Sequence, residues 1–227
     1  MAKQQYFVTG TDTDAGKTYA CVGLLEAAAR KGLRSLGVKP IAAGAENLEG
    51  KVVNEDALLI QAASSVKLRY EQVNPIVFES AIAPHIAAAQ ESRIVNASRL
   101  EGFIKGTLLT PHDFALVEGA GGWRVPLNDR ELLSDVAKRL ALPVVVVVNM
   151  KLGCLNHAIL TMEAINRDGL RVAGWIANTG ITEMACLEEN LATLQNMLSA
   201  PFLGQLTKQS DEAERAREFD TILEKLS

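Results

Sequence analysis

The sequence predicts an α/β fold in which a mainly parallel sheet is covered by helices on both faces. Three observations predict it. Strand-like and helical segments alternate along most of the 227 residues, as parallel strands joined by crossover helices require. The run Val144 to Val148 offers no polar position, so it reads as a strand buried on both faces. The stretch from Gly10 to Thr18 follows a β-type run and leads into a helical pattern, which puts a glycine-bearing turn where a strand hands over to a helix.

Taken in order, Tyr6–Thr9 is the first expected strand, and Lys17–Lys31 follows as a helix closed by Gly32, a residue suited to helix ends. Ser35–Lys39 is a strand ended by Pro40, which holds Lys39 extended, so that its amine is either aimed into the sheet-end crevice or, as for most lone lysines, solvated. Residues 40–53, with Gly44 and Gly50 and little periodicity, read as a long loop at a strand's carboxyl end, where loops are often functional. Glu55–Ser64 is a helix with Asn54 as its N-cap. Helices are then expected at Ala97–Leu109, Glu131–Leu140, Cys154–Arg167, Glu183–Ser199 and Asp211–Lys225, and strands at Asp113–Glu118, Pro143–Asn149, Arg171–Ala177 and Phe202–Leu206. With no repeat, low-complexity tract or Pro/Ser-rich linker, a single domain over residues 1–227 is expected.

Composition narrows the function. Apolar residues make up 48% of the chain, enough for a sizeable core, and the net charge of −4 comes from interspersed acids and bases. Without a basic stripe, nucleic acid is not an expected partner. The longest apolar run, Leu140 to Val148, is far short of the roughly 18 residues of a membrane span. The first residues lack a signal-type apolar segment. Cys21, Cys154 and Cys186 have no paired or metal-like spacing, which fits a reduced, cytoplasmic protein.

Gly10-Thr11-Asp12-Thr13-Asp14-Ala15-Gly16-Lys17-Thr18 reads as a phosphate-binding loop. Gly16 turns backbone N–H groups toward phosphate oxygens, Lys17 reaches the β- and γ-phosphates, and the Thr18 hydroxyl can ligate Mg²⁺. The helix that starts there adds its positive dipole end. The loop is a variant, because the common pattern G-x-x-x-x-G-K-[ST] needs glycine where this chain has Thr11. Asp12 and Asp14 are unexpected beside polyphosphate unless a cation compensates them.

Asp113–Glu118 ends in an acid followed by Gly119-Ala120-Gly121-Gly122, which suits a metal-holding carboxylate and a backbone that approaches the nucleotide closely. Asp56 is either a second Mg²⁺ ligand or a first-turn acid placed there by the helix dipole. The turn Lys151-Leu152-Gly153-Cys154-Leu155-Asn156-His157 belongs to the same sheet edge. Cys154 there reads as a packing residue more readily than as a nucleophile. Asn178 either reads a base edge or simply ends its strand. His85, His112 and His157 share no metal-ligand spacing and default to structural roles.

In order and in combination, the phosphate loop, Val38-Lys39-Pro40, Asp56-Ala57-Leu58, Asn74-Pro75, Pro84-His85, Val117-Glu118-Gly119-Ala120-Gly121-Gly122-Trp123, Lys151 to Ala158 and Gly174 to Asn178 closely resemble the dethiobiotin synthetases, from about residue 4 to about residue 206. The resemblance implies a P-loop NTPase-like three-layer sandwich with a mainly parallel central sheet of about seven strands. It implies conversion of 7,8-diaminopelargonic acid, CO₂ and MgATP into dethiobiotin, ADP and phosphate by a cytoplasmic homodimer. By position it implies Lys39, Lys17 and Thr13 in catalysis. Asp14, Ala15, Gly16, Lys17, Thr18, Tyr19, Asp56, Glu118, Gly119, Ala120, Gly121, Asn178 and Thr179 would bind ATP, with Thr18, Asp56 and Glu118 on Mg²⁺. Thr13, Lys39, Ala43, Gly121, Gly153, Cys154 and Asn156 would bind substrate, the last three across a dimer interface.

This chain departs from the family pattern in two places. Lys39-Pro40-Ile41-Ala42-Ala43-Gly44 has alanine where the pattern usually places a serine, and Thr179 and Thr207-Lys208 replace the frequent aspartate and a proline-containing base-reading segment. The competing reading is a partition or septum-positioning ATPase, but Asp12 occupies the position of that class's signature lysine. A cobyrinic acid diamide synthase would need a further glutaminase domain that the chain is too short to hold.

Overall fold

The computed structural model describes residues 3–208 and 211–226. Its elements run β1 (Gln4–Gly10), α1 (Lys17–Arg30), β2 (Ser35–Val38), β3 (Ile41–Ala43), β4 (Glu46–Leu48), β5 (Lys51–Val53), α2 (Glu55–Ala63), α3 (Tyr70–Val73), β6 (Ile76–Phe78), α4 (Pro84–Gln90), α5 (Ala97–Leu108), β7 (Phe114–Glu118), α6 (Leu133–Leu140), β8 (Val144–Asn149), α7 (Cys154–Arg167), β9 (Val172–Asn178), α8 (Leu187–Met197), β10 (Phe202–Leu206) and α9 (Glu212–Leu226).

Six strands form one wholly parallel sheet in the order β10-β9-β8-β1-β7-β2. These are the six strands expected from the sequence; among the described residues the sheet has six rather than about seven. β8 is buried along its whole length, as a strand packed on both faces must be. Successive residues of β1 show the two layers, because side chains alternate across a sheet. Tyr6 donates its hydroxyl proton to the Leu226 carbonyl of α9 at 2.7 Å. Phe7 meets Trp123 edge-on, with centroids 6.0 Å apart, and Trp123 Nε1 bonds Asp168 at the end of α7. Helices α9 and α7 therefore cover opposite faces.

The segment 40–53 is not the expected loop. Ile41–Ala43 pairs parallel with Ile76–Phe78, and Glu46–Leu48 pairs with Lys51–Val53 as a small antiparallel hairpin. Three-residue strands carry too few alternations to be seen in a sequence. Helix α6 starts two residues later than expected, because Leu132 is extended at φ −111° and bridges antiparallel to Pro126. Helix α8 starts at Leu187 rather than Glu183, after Cys186 in the left-handed region at φ 54°. Asn54 caps α2 as expected, accepting from the Ala57 N–H at 3.3 Å.

Candidate active site

All the chemistry-bearing groups lie at the carboxyl edge of the sheet, where parallel folds of this kind bind ligands. The phosphate loop leaves β1, Glu118 ends β7, and Lys39 follows β2, the next strand out. Strand pairing sets their spacing, since Val8 is in register with Glu118 and Val38 with Val117. They border a cavity of about 810 Å³.

The loop's tight path needs its glycine. Gly16 sits at φ 90°, and a Cβ there would come within 2.0 Å of Asn178 Nδ2. Asn178 is buried, donates from Nδ2 to the Ala15 carbonyl at 3.0 Å and accepts from the Gly180 N–H at Oδ1. Its amide thus holds the phosphate loop directly. Asp14, at φ 55°, occupies the left-handed region that Asp tolerates better than most residues. Across the cavity Gly121, at φ 60°, has Thr13 Oγ1 3.5 Å from where its Cβ would stand.

Glu118 is the hub. It is 1% exposed, and its Oε1 accepts from Thr18 Oγ1 at 2.9 Å and from Lys39 Nζ at 2.7 Å. Lys39 Nζ also lies 2.7 Å from Asp56 Oδ2. Burial opposes the charge on Lys39, but the nearby Glu118 and Asp56 carboxylates outweigh it and hold its pKa above the usual lysine range. Lys39 is therefore a fixed cation. Lys17 is pushed the other way: burial lowers its pKa, with Glu118 only partly offsetting the loss of hydration. Its Nζ donates to the Asp12 carbonyl at 2.9 Å.

Lys39 owes its placement to a polar relay. Its N–H donates to the Val73 carbonyl at 2.8 Å, and its carbonyl accepts from Asn74 Nδ2 at 2.6 Å. Tyr70 donates its hydroxyl proton to Asn74 Oδ1 and accepts from the Asn54 N–H, each at 2.8 Å, while Asn54 Nδ2 bonds the Gly44 carbonyl. Both sides of the Lys39 backbone are thereby fixed. Asn74-Pro75 was visible in the sequence, but the role of Tyr70 was not, since it links Asn74 to Asn54, which lies in another element.

Mg²⁺ can be tested against these groups. Glu118 Oε2 is buried with no hydrogen-bond partner, an arrangement costly for a carboxylate unless a cation completes it. Thr18 and Asp56 border the same cavity. No group of three or more His, Cys, Asp or Glu residues among the described residues could hold a metal alone. A threonine hydroxyl with one or two carboxylates fits Mg²⁺, which typically takes few protein ligands and fills its shell with water and substrate phosphates.

The structure brings together Thr13, Asp14, Gly16, Lys17, Thr18, Lys39, Ala43, Asp56, Glu118, Ala120 and Gly121 around one cavity. It does not bring every expected residue there. Tyr19 packs on Phe219 with ring centroids 5.4 Å apart, Thr179 turns its hydroxyl to the Leu206 carbonyl, and Gly119 N–H bonds the Val8 carbonyl. Ala15 is buried beneath the loop. Gly153, Cys154 and Asn156 lie at the start of α7, away from the cavity of their own chain. Cys154 is buried, and that burial raises its thiol pKa, which disfavours the thiolate a nucleophile needs. His112 bonds Gln5 Nε2 and the Thr110 carbonyl and is structural. The cavity also has an apolar lining of Ala81, Ile82, Ala83, Pro84, Val125 and Pro126, of which the sequence had singled out Pro84 alone.

Fold and site define a P-loop NTPase-like α/β protein. Solved structures agree on the fold. The septum site-determining protein MinD of Pyrococcus horikoshii, complexed with Mg-ADP, superposes with a TM-score of 0.60 at 17% identity, covering 99% of this chain and 96% of that one. Cobyrinic acid a,c-diamide synthase of Mycobacterium smegmatis, with bound ADP and magnesium, gives 0.61 at 13% identity, covering 98% and 93%. A family model described as an AAA domain matches residues 4–215. Sequence relatives are more specific. ATP-dependent dethiobiotin synthetase of Cellvibrio japonicus is 55% identical over 210 residues, 92% of both chains. Those of Marinobacter nauticus and Pseudomonas paraeruginosa are 51% and 52% identical, over 91% of this chain and 88% and 90% of theirs. The chain belongs to the dethiobiotin synthetase family, ATP-dependent ligases that form C–N bonds.

Proposed function

We propose that this protein converts 7,8-diaminopelargonic acid, CO₂ and MgATP into dethiobiotin, ADP and phosphate. The observation that carries the reading is the mixed lining of one cavity, where the charged and polar Lys17, Thr18, Lys39 and Glu118 share the wall with the apolar Ala42, Ala43, Ile82, Pro84 and Val125. A ligand with a reactive polar head and an aliphatic tail suits such a slot.

One amine attacks CO₂ and loses a proton, giving a carbamate. A carbamate oxygen takes the γ-phosphoryl group as ADP leaves, and the resulting carbamic-phosphoric anhydride has phosphate as a good leaving group. The second amine attacks the carbonyl carbon and loses a proton, phosphate departs with its bonding pair and takes up that proton, and the cyclic urea closes. Lys39, a fixed cation in a buried setting, stabilises the negative charge of the carbamate and of its phosphorylated form. Lys17 and the N–H groups around Gly16 hold the phosphates, and Thr13 and Gly121 border the diamine. Thr18, Asp56 and Glu118 would hold Mg²⁺, which supplies charge neutralisation to the transferring phosphoryl group.

Asn178 and Thr179 take the adenine end of the nucleotide in this reading, while the Asn178 amide keeps its bond to the loop. The diamine's carboxylate would meet Gly153, Cys154 and Asn156 of a second copy, because a helix N-terminus attracts carboxylates. Leu152, 95% exposed at that turn, supports a protein contact there. One P-loop domain acting as a cytoplasmic homodimer follows from this reading; no helix among the described residues is long and apolar enough to cross a membrane. The test is phosphate release from MgATP with diamine and bicarbonate supplied separately and together. Release only with both supports the proposal, and release without the diamine would favour a switch ATPase.

A further inference from the structure

The phosphate loop's acid Asp12 has found its compensating charge outside the loop. Asp12 is engaged at three atoms. Its carbonyl accepts from Lys17 Nζ at 2.9 Å, its Oδ1 accepts from the Thr13 N–H at 2.8 Å, and its Oδ2 lies 3.5 Å from Lys151 Nζ. Lys151 comes from the turn after β8, and its N–H is fixed on the Asn149 carbonyl at 3.0 Å. The same strand holds the loop at a second point, where Thr11 N–H donates to the Val147 carbonyl at 3.0 Å. Lys151 makes no other ion pair among the described residues.

We propose that Lys151 is a positioning residue for the phosphate loop, acting through Asp12. It cancels the Asp12 charge and keeps that carboxylate turned to the β8 side, so that Lys17 and Mg²⁺ are left to the polyphosphate. Without Lys151, the carboxylate repels the triphosphate and competes for the Lys17 ammonium. The proposal rests on the MgATP reading of the loop. The Lys151 and Asp12 side chains are 35% and 49% exposed, so solvent screens the pair and the effect is modest.

The experiment compares wild type, Lys151→Met, Lys151→Arg and Lys151→Met/Asp12→Asn in steady-state turnover at low and high ionic strength, with MgATP binding measured by calorimetry. The expected result for Lys151→Met is a KM for MgATP raised about two- to fivefold, with kcat and the KM for diamine near wild type. That increase shrinks in high salt and is reversed by Lys151→Arg or by adding Asp12→Asn. An unchanged KM for MgATP overturns the assignment. So does a loss in kcat that Asp12→Asn fails to reverse, which would place Lys151 on the substrate itself. If wild type binds no MgATP, the loop reading fails; if it binds and Lys151→Met binds equally well, only the Lys151 role fails.

Discussion

Lys39→Met tests the buried charge pair on which the site is built. The substitution keeps the chain length and apolar stem but leaves Glu118, 1% exposed, with no cation bonded to it and the Thr18 hydroxyl and buried Cys21 thiol as neutral donors. Removing one partner of a buried ion pair costs about 3–5 kcal/mol, mostly for stranding the other charge. In a protein of this size that lowers the melting temperature by roughly 10 °C. The double variant Lys39→Met/Glu118→Gln removes the stranded charge, so it should recover much of the lost stability while staying inactive. The groups are 2.7 Å apart, close enough for a coupling energy of about 1–3 kcal/mol. Urea unfolding of the four species closes the cycle, and phosphate release follows activity. Mg²⁺ should stabilise Lys39→Met more than wild type, because a cation at Glu118 replaces the missing charge. A loss of less than about 1 kcal/mol in Lys39→Met, or a double variant as unstable as the two losses added together, would refute a coupled buried pair.

Four further outcomes are expected. Burial lowers the Lys17 pKa, so kcat/KM for MgATP should fall at a pH below the ordinary lysine range, and Lys17→Arg should move that fall to higher pH; an unmoved alkaline limb would remove Lys17 as its cause. In the same window the unfolded chain binds the proton that folded Lys17 has lost, so this group's contribution to stability rises with pH. Ala43→Ser restores the hydroxyl of the family pattern at the cavity wall, and the KM for the diamine should drop about two- to tenfold, the equivalent of one hydrogen bond of 0.5–1.5 kcal/mol. Cys154→Ser should keep turnover, since the thiol is buried and its pKa raised; complete inactivity would reinstate covalent chemistry.

The sequence spoke clearly where the physics is local. Five consecutive valines admit little other than a doubly buried strand, and a strand ending in Gly10 before Gly16-Lys17-Thr18 admits little other than a phosphate loop. Glu118 was legible for the same reason, being an acid at a strand's end before glycines. What stayed hidden depends on distant pairing. Ile41–Ala43 becomes a strand only because Ile76–Phe78 lies beside it, and the Tyr70–Asn74–Lys39 relay joins residues far apart in the chain. The charge state of Lys39 was equally invisible, because a lysine before a proline reads as solvated until Glu118 and Asp56 are placed against it.

The handing of the γ-phosphoryl group to a carboxylated amine is tested most directly by isotope transfer. With bicarbonate and CO₂ labelled in oxygen-18, and turnover faster than exchange with water, the carbamate oxygen that attacks phosphorus leaves with it. One labelled oxygen per released phosphate is the expected result. Phosphate that carries no label while dethiobiotin forms would contradict a phosphorylated carbamate at this site.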